Sequence, residues 1–139
     1  MITLARLDHV VFRIADIERS IAFWRDVLGC TVEKVQEDLG LWQIRAGEAL
    51  IDLVTVDGKL GARGGAAAVR EGRNVDHVCL RVDPWDEDAI AAHLERHGVP
   101  IWERGNRYGS EGMGPSFYIP DPDGNVIELK GPALPGTRV

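Results

Sequence analysis

Two histidines stand at the same place in a repeated phrase. His9 lies in LDHVVFRI (7–14) and His77 in VDHVCLRV (75–82). At an offset of 68, Asp8, His9, Val10 and Arg13 meet Asp76, His77, Val78 and Arg81. Further on the offset is 69, where Ile21, Ala22 and Gly29 meet Ile90, Ala91 and Gly98. Each copy closes on a carboxylate set in an apolar run, Asp52 between Ile51 and Leu53, and Glu128 between Ile127 and Leu129. A carboxylate buried without a partner is costly, and a divalent cation offsets that cost. Two neutral imidazoles and two carboxylates make a neutral site with a 2+ ion. Nitrogen and oxygen ligands suit zinc, nickel, iron, manganese or cobalt. Four protein ligands on an octahedral ion leave two positions for water or substrate. A single histidine in a strand is usually structural; its duplication beside a duplicated carboxylate points to metal.

The elements that must position these groups follow the same repeat. Residues 6–14 are β-branched and apolar and read as a strand. Asp16 reads as an N-cap, and Ile17, Ile21, Trp24, Val27 and Leu28 recur at helical spacing up to Gly29. Strands are expected near 31–37, 40–46 and 48–56. The second copy repeats the order: a strand at 74–82, a helix at 86–97 closed by Gly98, and strands near 100–104, 115–120 and 125–130. The turn Asp121-Pro122-Asp123-Gly124-Asn125 separates the last two. Because strand side chains alternate, Val10, Phe12 and Ile14 face the helix, and His9, Val11 and Arg13 face away. His77, Cys79 and Arg81 likewise share one face. Alternation turns Asp8 and Asp76 to the opposite face, so neither is expected to ligate. His93 and His97, one helical turn apart, lack the Glu of an HExxH motif and read as solvated.

The expectation is one α+β domain over 1–139, with modules 1–57 and 74–131 and a glycine-rich linker loop at 58–73. A second glycine-rich stretch, Gly105 to Gly114, contains Arg107 and lacks the Gly-Lys-Ser/Thr ending of a phosphate loop. It reads as a substrate-contacting loop or a plain hairpin connection. Of 139 residues, 45% are hydrophobic and 27% charged, the balance of a globular chain. The net charge of −6 disfavours phosphate backbones, so no nucleic-acid partner is expected. No apolar run approaches a membrane span, and Met1 to Asp8 carry no signal-peptide core. Cys30 and Cys79, in apolar runs without CxxC spacing, read as buried free thiols, and the expected compartment is cytoplasmic. Trp24, Trp42, Trp85 and Trp102 are expected mostly in the core or in grooves, and the tail Gly131–Val139 as an extended or frayed arm.

LDHVVFRIAD with the following SIAFWRDVLG, NVDHVCLRV, and FYIPDPDGNVIEL resemble the vicinal oxygen chelate superfamily. That group includes glyoxalase I, methylmalonyl-CoA epimerase, fosfomycin-resistance proteins, extradiol dioxygenases and bleomycin-binding proteins. The resemblance spans nearly the whole chain. It implies two tandem βαβββ modules forming a curled mixed sheet around a central metal cavity. It implies His9, Asp52, His77 and Glu128 as ligands, with Asp52 standing where glyoxalase I carries Glu. The implied chemistry is Lewis-acid stabilisation of an enediolate, with Glu128 as the general base. Arg13 resembles the arginine that holds the glutathione carboxylate, although Val56 stands where its partner Asn is found. Tyr118 resembles the active-site tyrosine of extradiol dioxygenases, whose additional second-module histidine has no counterpart after His97. The leading expectation is a zinc-, nickel-, manganese- or iron-dependent lyase or isomerase acting on a small molecule with vicinal oxygens. Arg13, Arg107 and Tyr118 are its candidate substrate contacts. The alternatives are an iron-dependent extradiol-type dioxygenase and a binding or antibiotic-resistance protein. Relatives that pair edge strands imply a homodimer.

Overall fold

The computed structural model describes residues 1–139. The chain forms two compact units, Met1–Val69 and Arg70–Val139.

In the first unit, strand β1 (His9–Ile14) leads into helix α1 (Ile17–Ala22), which continues as a wider π-type turn over Phe23–Val27. The Asp16 side chain caps the helix by accepting from Arg19 N at 3.1 Å. Gly29 ends it at φ 70°, with Cys30 N donating to Trp24 O at 2.9 Å. Strands β2 (Thr31–Gln36), β3 (Leu41–Ala46) and β4 (Ala49–Thr55) follow. The sheet order is β1-β4-β3-β2, with β1 parallel to β4 and the other pairs antiparallel. The α1 crossover is what makes the parallel pair possible. Trp24 is fully buried, stacked 6.2 Å from Phe12 and edge-on to Phe23 at 5.6 Å. Ile14, Ile44 and Leu53 complete this core.

The second unit repeats the plan. It has β5 (His77–Arg81), α2 (Glu87–Arg96), β6 (Glu103–Gly109), β7 (Gly112–Pro120) and β8 (Val126–Lys130), in the order β5-β8-β7-β6. Asp86 caps α2 by accepting from Ala89 N at 3.0 Å. Its core is Leu94, Phe117, Ile119, Ile127 and Leu129, with Trp85 against Phe117 at 5.1 Å. The architecture is α+β, two βαβββ units each with a four-stranded mixed sheet.

Three expectations sharpen. Of the two readings of Gly105–Gly114, the plain hairpin connection holds: β6 and β7 pair from Glu103↔Tyr118 to Gly109↔Gly112, leaving a tight turn. Gly114 is there for close approach, since a Cβ on it would meet Pro132 O at 2.6 Å, and Gly112 turns the hairpin at φ 122°. The tail is pinned, since Thr137 Oγ1 accepts from Met113 N at 3.0 Å and Val139 N donates to the Tyr108 hydroxyl at 3.0 Å. Of the four tryptophans only Trp102, 57% exposed, stands outside the core-or-groove expectation.

Candidate metal and substrate site

The two histidine–carboxylate pairs occupy the same positions in their sheets. In the first unit His9 is opposite Leu50, and Asp52, two residues on, is opposite Val11. In the second, His77 is opposite Val126 and Glu128, two residues on, is opposite Cys79. A two-residue step keeps each carboxylate on the face of its histidine. Parallel pairing, the only arrangement that runs both strands the same way, sets this geometry twice.

In the second unit the pair is closed. His77 Nε2 lies 3.0 Å from Glu128 Oε2, and Glu128 Oε1 accepts from Ser116 Oγ at 2.7 Å. Glu128 and Ser116 are buried. His77 Nδ1 is 2.6 Å from Asp76 Oδ2. The Asp76 contact leaves Nε2 as the nitrogen aimed at Glu128. Tyr118, opposite Glu128 on β7, meets the His77 ring edge-on at 5.3 Å. Burial, and then the Glu128 carboxylate, raise the Tyr118 hydroxyl above its usual pKa. Arg107 lies over the Tyr118 ring at 5.5 Å and holds Glu103 at 2.5 Å.

The first unit carries the open version. His9 Nδ1 is 2.8 Å from Asp8 Oδ1. Asp52 is buried, and both its oxygens stand 3.3 Å from Gln43 Nε2. The hydrogen bond His9 donates to Asp8, then the charge of Asp52, raise the pKa of His9. Arg13 donates from Nε to Gly61 O at 2.8 Å, from Nη1 to Ala66 O at 3.1 Å, and from Nη2 to Gly65 O. The guanidinium thus ties down a glycine-rich loop.

Asp8 and Asp76 carry a contact that sequence reasoning missed. They do not point into the pairs, but each holds the Nδ1 of the histidine that follows it. That bond fixes the imidazole orientation and leaves Nε2 for a ligand. The signal was the repeated Asp-His dipeptide itself. The thiols also differ from expectation. Both cysteines are free, but Cys30 is half-buried and Cys79 exposed. Although Cys79 is exposed as a residue, local desolvation and the neighbouring Glu128 push its thiol up to about 12. His93 and His97 sit with rings 4.6 Å apart on and just beyond α2, away from either pair in sequence and sheet.

The donor set fits a divalent ion in part. The 3.0 Å between His77 Nε2 and Glu128 Oε2 is about the edge of an octahedron with ligands about 2.1 Å from the ion. No three His, Cys, Asp or Glu side chains form a group that could hold a metal ion. Each unit assembles a pair, and a pair is short of the three or four protein ligands of a typical transition-metal site.

The fold and the duplicated pairs define a class: paired βαβββ proteins that present one histidine and one carboxylate per unit. The chain belongs to the glyoxalase/bleomycin resistance protein/dioxygenase superfamily, whose model matches residues 6–129. It is 28% identical over 126 residues to glutathione transferase FosA of Serratia marcescens, covering 91% of this chain and 80% of that protein. It is 26% identical over 132 residues to mouse (Mus musculus) mitochondrial methylmalonyl-CoA epimerase, covering 91% and 73%. The crystal structure of virulence protein STM3117 from Salmonella typhimurium superposes with a TM-score of 0.77 at 25% identity, covering 95% of this chain and all of that one, 100%. No helix is long and apolar enough to cross a membrane.

Proposed function

We propose that the protein is a divalent-metal-dependent enzyme of the lyase or isomerase class, acting on a small molecule with two adjacent oxygens. The supporting observation is the duplicated pair, each histidine held at Nδ1 by the preceding aspartate. In this reading His9, Asp52, His77 and Glu128 hold the ion. When bound, the ion supplies Lewis-acid stabilisation of a developing oxyanion. Two of these candidate ligands come from each unit, and a homodimer is the proposed assembly.

The chain's own residues divide the remaining work. Glu128 moves the substrate proton, with Ser116 holding its Oε1. Asp76 keeps the His77 ring from turning. Tyr118 and Arg107 contact substrate beside His77, and Arg13 shapes the approach through the loop it holds. The test is Glu128→Gln, followed by the disappearance of a glutathione–methylglyoxal hemithioacetal absorbance. The expected outcome is an intact fold with turnover reduced by about 100-fold to 10,000-fold, the share that general acid–base catalysis supplies. An undiminished rate in the variant overturns the role of Glu128.

A second reading has one specific observation behind it. The Serratia relative is named a glutathione transferase and matches 91% of this chain. It would make the reaction a glutathione addition that consumes a small electrophile on the same residues. Thiol consumption without hemithioacetal isomerisation selects it, and oxygen uptake with a catechol and iron selects a dioxygenase instead.

A further inference from the structure

Lys130 is 5% exposed, yet its ammonium has no hydrogen bond to any protein group and no carboxylate within ion-pairing reach. It ends β8, two residues past Glu128, and so shares the face of that carboxylate. It lies opposite Arg81 on β5 and Ser116 on β7. Two glycines make room for it. A Cβ at Gly109 would stand 3.0 Å from Lys130 Cε, and one at Gly114 would stand 2.8 Å from Nζ. The side chain therefore lies down across β6 and β7 where any other residue would collide with it.

This side chain lines a cavity of about 360 Å³ in the second unit, together with His77, Cys79, Arg81, Glu111 and Glu128. The other charges there are already matched. Arg81 Nε donates to Glu111 Oε1 at 2.8 Å, and Glu128 has His77 and Ser116. One cation on the cavity wall, Lys130, is left without a carboxylate partner. An oxyanion entering the cavity would give it one through a charge-assisted hydrogen bond. The volume is at the small end of ligand pockets.

We propose that Lys130 is a substrate-binding residue that holds an oxyanion, a carboxylate or phosphonate, on a compact acidic substrate beside the His77–Glu128 pair. The proposal rests on reading that pair as the reacting end of the site. The acidic group would anchor one end of the molecule at Nζ and orient its other end toward Glu128.

The chain has three lysines, Lys34, Lys59 and Lys130, so protein labelled with ¹³C at lysine Cε gives three separate signals. Methylphosphonate and propionate are titrated into the full-length wild type, with and without zinc, and metal content is measured on the same samples. The expected result is a saturable shift of the Lys130 signal alone. By calorimetry, Lys130→Met and Lys130→Gln should bind the probe at least about 10-fold more weakly with an unchanged circular dichroism spectrum. A response to methylphosphonate only assigns a phosphonate, and to propionate only, a carboxylate. A Lys130 signal that neither probe moves, or equal binding by folded variants, overturns the proposal. If zinc binds while Lys130 stays silent, the oxyanion role falls and the metal reading stands. If the probe shifts Lys130 in protein that takes up no metal, the oxyanion role stands and the metal reading falls.

Discussion

At the scale of single residues, a two-residue phrase does most of the positioning. In Asp8-His9 and Asp76-His77 the carboxylate bonds back to Nδ1 of its neighbour, at 2.8 and 2.6 Å. Alternation turns these aspartates away from the face of the histidines. It misses their role because the contact runs along the strand edge to the next residue rather than across a face. Asp76→Asn should keep the fold and lower metal affinity by about 10-fold to 100-fold, the usual loss when the partner of a ligating histidine is altered. Competition with a chromogenic chelator reads this directly. Affinity equal to wild type would leave Asp76 as a mere surface contact. Lys130 shows a different limit. In the sequence it looks like an ordinary strand-end cation before Gly131, and only the packing of Gly109 and Gly114 around its stem reveals it as buried.

At the scale of elements, the helix–strand order was legible because its punctuation is local. Asp16 and Asp86 cap the two helices, and Gly29 and Gly98 end them at φ 70° and 68°. Asp86→Ala should destabilise the chain by about 1 kcal/mol, measured by urea denaturation. Trp24→Ala, which empties the first core, should cost about 3–5 kcal/mol. The β6–β7 hairpin was legible only as one of two readings, since Gly105, Asn106, Gly109, Ser110 and Gly112 carry the composition of a loop. Gly114 answers to the Pro132 carbonyl packed against it, which no local propensity encodes. The 61–66 loop is held from β1 by three donors of Arg13. Arg13→Ala should therefore speed amide hydrogen exchange across Gly61–Ala66 while leaving β1 protected. Unchanged exchange there would mean the loop holds itself.

At the scale of the whole molecule, the internal repeat carries the argument. It made the fold class readable, because two copies of one strand–helix–three-strand order must build two equivalent units. It also made the pairs readable, since His9 with Asp52 and His77 with Glu128 fall two register steps apart in both sheets. What the repeat does not encode is how many pairs meet at one ion. Each unit pairs one histidine with one carboxylate, and for the proposed homodimer sedimentation at micromolar concentration should give the mass of a dimer. Superfamily membership leaves the reaction open, since one fold hosts many chemistries.

The central claim is that the duplicated pairs bind metal. Elemental analysis of the purified protein, beside His9→Ala and Glu128→Gln prepared identically, tests it most directly. The account predicts about one divalent ion per chain in the wild type and its loss from both variants. Wild-type protein that takes up no zinc, nickel, manganese or iron, even after incubation with each, would contradict it and leave the four residues as structural parts of a binding protein.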